Sequence, residues 1–114
     1  MSTESVLAHH LASVGAGDVD AILEDFTEES VLLTPDGPVR GLDALRGLFT
    51  SLVTDWLPPG TDLTLINQSI EGEVAYIVWS ASSPKFDFPI GTDTFVVKND
   101  KIVVQTFAAK MDPK

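Results

Sequence analysis

Apolar residues between Ser2 and Ala16 recur as Val6, Leu7, Leu11 and Val14, the three-to-four spacing of one helix face, with His10 inside the stripe and His9 beside it. Gly15 to Gly17 interrupt the pattern, Asp18 offers a side-chain cap, and Val19, Ile22, Leu23 and Phe26 repeat the spacing over a short second helix. The two form a helical hairpin. SVLLTPDGPVRG then changes character: β-prone pieces flank Pro-Asp-Gly, which predicts a short strand, a turn and a shorter strand. Gly41 and Asp43 open a third helix, in which Leu45, Leu48, Phe49, Leu52, Val53 and Trp56 make one wide apolar face; Pro58, Pro59 and Gly60 end it.

Everything after Thr61 reads as strand, over residues 62–70, 74–83, 86–97 and 101–110, with turns at Glu71-Gly72, near Ser83-Pro84 and at Asn99-Asp100. Turns this short make successive strands antiparallel neighbours. Helices followed by a meander of long strands predict an α+β fold, one domain over residues 1–114, in which three N-terminal helices cover one face of a curved, mostly antiparallel sheet.

Alternation within the late strands concerns the opposite face. From 74 to 82 one parity holds Tyr76, Val78, Ser80 and Ser82, the other Ala75, Ile77, Trp79 and Ala81; from 102 to 109 the parities are again both largely apolar. A sheet apolar on both sides requires cover on both, and three helices cover only one. The outer face is therefore expected to pack against a second copy, giving a homodimer.

Composition narrows the class. With 44% hydrophobic and 21% charged residues in 114, the chain belongs to the globular range and supports a single core. It contains no cysteine, which excludes disulfides and thiol chemistry, and the N-terminus lacks the basic and apolar regions of a signal peptide. No stretch approaches the ~20 apolar residues of a membrane span, so a cytoplasmic protein without membrane contact is expected. The net charge of −10 is concentrated early: thirteen acidic and two basic residues precede Val74, against four acidic and five basic from there on. Such a surface repels phosphate backbones, and nucleic acid is not an expected partner.

Candidate chemistry centres on GTDTFVVKND, residues 91–100, where Asp93 sits two residues before Phe95 in a β-prone run. Such a carboxylate either faces water or faces a cavity and has a task. His10 is its natural companion, because an imidazole from a helix and a carboxyl from the sheet, converging on an apolar cavity, suit proton transfer or polarisation of a carbonyl. The ordinary alternative makes His10 a core histidine bonded to backbone or to Asp93 for structure alone. His9 and His10 project about 100° apart on a helix and the chain has no further histidine, so no metal site and no cofactor are expected.

The order of helix, AGDVDAILEDF, Pro-Asp-Gly turn, VRGLDALRGLF and DTFVVKNDKIVVQTFAAK resembles the nuclear transport factor 2-like superfamily, and within it the SnoaL-like and ketosteroid isomerase-like proteins, over nearly the whole chain. The resemblance implies a cystatin-like cone: a strongly bent sheet wrapped round three helices, with a deep pocket, commonly in a dimer. In ketosteroid isomerases a protonated aspartate donates to a developing enolate oxygen, and Asp93 in TDTF corresponds to it. The tyrosine that assists it falls at His10, and the general base falls at Thr34, whose hydroxyl does not act as a base near neutral pH. SnoaL-type cyclases work on a polyketide with a single pocket carboxylate, which Asp93 with His10 would satisfy. Epoxide hydrolases of the fold use an Asp-Arg-Asp set, whereas Arg40 and Arg46 lie at the start of helix three, so that chemistry is not expected.

Leu33, Thr34, Trp56, Phe88, Phe95, Gln105 and Phe107, with Val78 or Trp79 according to register, are the expected pocket lining, a mostly aromatic wall for a small hydrophobic molecule. Two functions follow from different classes: an isomerase or cyclase transferring protons through Asp93 and His10, or a non-catalytic ligand-binding or dimerisation domain.

Overall fold

The computed structural model describes residues 2–114. Helix α1, Thr3–Ala16, starts at a reciprocal cap in which the Ser2 hydroxyl accepts from Ser5 N–H and Ser5 returns the bond to the Ser2 backbone. It ends at Gly17, whose φ of 68° reverses the chain, while the Gly17 and Asp18 N–H groups donate to the Val14 and Ser13 carbonyls. A side chain at Gly17 would also strike Pro59. Helix α2, Val19–Leu23, begins where the Asp18 carboxylate accepts from Ala21 N–H.

Strands β1, Val31–Thr34, and β2, Gly37–Arg40, form the short hairpin, and α3 follows over Leu42–Ser51. The expected third helix does not run unbroken to Trp56. Residues Leu52–Trp56 form a π-helical turn closed by Leu57 N–H on the Leu52 carbonyl. The Thr50 and Thr54 hydroxyls each bond back to the carbonyl four residues earlier, at 2.6 Å, competing for the acceptors a regular helix would use.

The sheet comprises β3 (Asp62–Glu71), β4 (Val74–Ser82), β5 (Phe86–Lys98), β6 (Lys101–Ala109) and the two-residue β7 (Asp112–Pro113) besides the first hairpin, in the order β2-β1-β6-β5-β4-β3 with β7 on β5. The four long strands, β3 to β6, lie within a residue of their expected limits, and β7 was not expected. Alternation did not reveal that β1 joins β6 in parallel, Val31 beside Val104, through a long-range closure that no hairpin turn announces. Register shifts between Leu65 and Asn67, Trp79 and Ala81, and Val96 and Val97 interrupt the ladders and bend the sheet.

Helices occupy the concave side. Val6, Leu7, Ile22, Leu45 and Phe49 meet Ala75, Ile77, Trp79, Phe95, Val97 and Ile102 in one buried cluster. On the convex side, Val31, Val104, Val96 and Val74 make one row across four strands, and Leu33, Thr106, Thr94 and Tyr76 make the next. Among the described residues these two rows hold no charged side chain. Among the described residues no helix is long and apolar enough to cross a membrane.

Candidate functional site

A cavity of about 200 Å3 lies between the helices and the concave sheet. Helix α1 supplies His10, Leu11 and Val14; α3 and the π-turn supply Leu48, Phe49, Leu52 and Trp56. The sheet adds Ile77, Trp79, Phe95 and Phe107, so the wall is overwhelmingly apolar and aromatic. Leu63 and Leu65 of β3 share the inner parity yet remain exposed, marking where the cavity meets solvent.

Asp93 is 7% exposed on this wall. Its Oδ1 accepts from Trp79 Nε1 at 2.9 Å and its Oδ2 accepts from Gln105 Nε2 at 2.8 Å. Burial pushes its pKa up to about 6, and the two N–H donors hold it from rising further, because they favour the ionised form. Near neutral pH the group is therefore mostly a carboxylate, poised to take a proton. This differs from the permanently protonated donor of ketosteroid isomerases.

His10 is 3% exposed and ringed edge-on by Phe26, Phe49 and Phe95, with centroids 5.8, 5.9 and 5.2 Å away. Desolvation, with a smaller contribution from His9, lowers its pKa to about 4, so the ring is neutral at pH 7. Its Nδ1 has no hydrogen-bond partner, and Asp93 is engaged by Trp79 and Gln105 instead. Neither backbone nor Asp93 bonds that nitrogen, and the ring is held by aromatic packing instead. Gln105 Oε1 is likewise a buried side-chain atom without a hydrogen-bond partner.

Trp56, Trp79, Phe95, Gln105 and Phe107 all line the cavity together with His10 and Asp93. Four expected lining residues are elsewhere. Leu33 is 43% exposed on the convex face, since Leu32 takes the inward parity of β1. Val78 faces outward by the same alternation, which resolves the choice in favour of Trp79. Thr34 closes the β1–β2 turn, donating to the Gly37 carbonyl and accepting from Asp36 N–H. Phe88 is buried but lies beyond the irregularity after Trp79, packed against Trp79 and Phe86 rather than on the cavity. Lining residues such as Ile77 and Phe49 escaped notice because ordinary core leucines, isoleucines and phenylalanines carry no mark of a cavity.

A second pair, unforeseen from sequence, lies outside the cavity. His9 Nδ1 is 2.6 Å from Asp25 Oδ2. Asp25 raises the His9 pKa; burial raises that of Asp25, against the pull of His9. Arg46 pairs with Asp20 at the surface, away from the cavity. Among the described residues no cluster of three or more His, Cys, Asp and Glu side chains could hold a metal ion.

The family model for the SnoaL-like domain matches residues 7–105, and the chain belongs to that family within the nuclear transport factor 2-like superfamily. No curated protein matches the sequence. Solved structures share the fold at low identity. An NTF2-like protein of unknown function from Mesorhizobium loti is 24% identical with a TM-score of 0.78, covering 95% of this chain and 90% of that one. A cystatin-fold protein from Novosphingobium aromaticivorans is 17% identical with a TM-score of 0.78, covering 95% and 98%. The epoxide hydrolase/cyclase-like enzyme SalBIII, of pyran ring formation in the polyether salinomycin, is 22% identical with a TM-score of 0.79, covering 95% and 90%.

Proposed function

We propose that the cavity takes up a small, flat, neutral carbonyl compound and that Asp93 moves a proton on it, as an isomerase- or cyclase-like acid/base catalyst. In such a step the Asp93 carboxylate takes a proton from the carbon beside the carbonyl. The electron pair passes to the carbonyl oxygen, where the proton of neutral His10 is available as a hydrogen bond, and the Asp93 carboxyl then returns its proton to the same carbon or, in a β,γ-unsaturated carbonyl compound, to the γ carbon of the dienolate. The observation that carries this is a lone carboxylate fixed by two N–H donors on an otherwise apolar wall, with its pKa raised toward the working pH. The kinship in fold with an epoxide hydrolase/cyclase-like enzyme agrees with it.

2-Tetralone, a neutral two-ring ketone with an acidified C–H, serves as the probe. In D2O the wild type is expected to exchange its α-protons at least ~100-fold faster than Asp93→Asn, the lower range for a positioned acid/base group. Binding without exchange would leave the non-catalytic ligand-binding alternative. Absence of binding would remove this ligand class.

The valine row and the Leu33-Thr106-Thr94-Tyr76 row of the convex sheet, which hold no charged side chain, support a homodimer through that face. Sedimentation equilibrium is expected to give a dimer at micromolar concentration and a monomer for Thr94→Lys. A wild type that stays monomeric at 100-fold higher concentration contradicts it.

A further inference from the structure

Gly91 pairs with Trp79 across β4 and β5, and its backbone φ is not in the left-handed region, so conformation does not require glycine there. Space does. A Cβ built on Gly91 would lie 2.3 Å from Trp79 Cε2 and Cζ2 and 2.8 Å from Cδ2, deep inside contact distance of the rigid indole. The indole therefore rests on bare backbone. Phe107 is stacked with it at 6.3 Å and 15°, and Phe88 packs at 5.7 Å. Held this way, the ring presents Nε1 to Asp93, two residues beyond Gly91 on the same face of β5. From the other neighbouring strand, β6, Gln105 presents Nε2 to the second carboxylate oxygen.

We propose that Gly91, Trp79 and Gln105 are positioning residues for Asp93: Gly91 seats the indole, and the indole and amide hold the carboxylate from two sides in one orientation toward the cavity. This role rests on the proposed chemistry of Asp93, but its physical content is independent of any ligand. Both donors stabilise the charged form of a carboxylate that burial disfavours, so removing either must shift its protonation upward. Steric displacement of the indole by a methyl group on Gly91 must do the same through the lost N–H bond. Among the described lining residues the only other titratable side chain is His10, whose neutral ring adds no charge to this balance near pH 6.

The test is carboxyl-carbon NMR of Asp93 in the full chain, read beside the Trp79 indole N–H resonance. In the wild type both signals should share one midpoint. Trp79→Phe and Gln105→Leu should each raise the carboxyl midpoint by about one to two pH units, the effect of a hydrogen bond to a charged group. Gly91→Ala should raise it comparably and uncouple the indole N–H from it, with little further rise when combined with Trp79→Phe. Should Gly91→Ala fail to fold, the other two variants decide the matter. A midpoint unchanged in Trp79→Phe and Gln105→Leu, or a Gly91→Ala effect undiminished in the Trp79→Phe background, overturns the proposal. An ordinary midpoint near 3.8 in the wild type would instead overturn the proposed chemistry of Asp93 itself, so the two failures are distinguishable.

Discussion

One helical step, about 100°, turns His9 onto Asp25 at the seam between α1 and the segment after α2, and turns His10 into the apolar cavity. His9 keeps 40% of its side chain in water and gains a carboxylate, so its charged form is favoured. His10 has aromatic rings on three sides and no carboxylate, so its charged form is expelled. Asp25 and Asp93 repeat the contrast among the acids: one sits against an imidazole that can carry charge, the other against neutral N–H groups only. At the seam Asp25 favours the charged form of His9 and the pair joins α1 to the end of α2, although burial still holds the Asp25 carboxyl above its ordinary value. The cavity gives its two ionisable groups no charged partner, which weakens the fold through Asp93 above pH 6 and through His10 only in acid.

The largest effect expected from breaking this contrast is a gain in stability on removing Asp93. Its folded pKa of about 6 exceeds the unfolded 3.8, so the folded state binds more protons between those values and loses stability as pH rises through them. Above pH 6 the cost is complete, at about 3 kcal/mol. Asp93→Asn should therefore be more stable than the wild type by about 2–3 kcal/mol at pH 7.5, roughly 10 °C in Tm, and should lose that advantage below pH 4. Denaturation at the two pH values checks it. An Asn variant that is less stable at pH 7.5 would mean that the cavity carries the carboxylate without strain.

His10 gives an effect of similar size in the opposite sense, visible only in acid. With a folded pKa near 4 and an unfolded value of 6.5, its contribution is intact above pH 6.5 and lost as pH falls toward 4. Between pH 4 and 6 the two groups offset one another, so the wild-type profile should be shallow. Asp93→Asn should unmask stability that rises with pH, and His10→Leu stability that falls with pH, the slopes integrating to about 2–3 kcal/mol each. Parallel profiles for the two variants would show that the groups do not occupy opposed electrostatic states.

Strand limits, hairpins and the two-helix start were legible because side-chain period and turn residues are local properties. The parallel closure of β1 on β6 and the π-turn at Leu52–Trp56 were not, since each depends on groups remote in sequence or on threonine hydroxyls diverting helix carbonyls. Asp93 stood out by its chemistry in an apolar run. Leu33 was misjudged by one residue, the step that exchanges the faces of a strand, and the same uncertainty of parity left Val78 and Trp79 as alternatives. Gly91 carried no signal, because its meaning is a distance to Trp79 across the ladder. The His9–Asp25 pair was hidden for a related reason: a loop residue after α2 meets α1 only once the hairpin has folded.

That pair gives the smallest effect and the sharpest sign. The Asp25 backbone carbonyl also accepts from Ile102 N–H at 2.7 Å, so the seam joins α1, the end of α2 and the start of β6. His9→Leu leaves Asp25 buried without its imidazole, and a half-exposed pair of this kind contributes about 1 kcal/mol after solvent screening. Because the folded His9 pKa lies above the unfolded 6.5, the stabilising contribution is full below pH 6.5 and is lost as pH rises through the folded value. Urea unfolding should therefore separate wild type from His9→Leu more at pH 6 than at pH 9. A gap that widens toward pH 9 would assign the coupling to the neutral ring and erase the distinction between the two histidines.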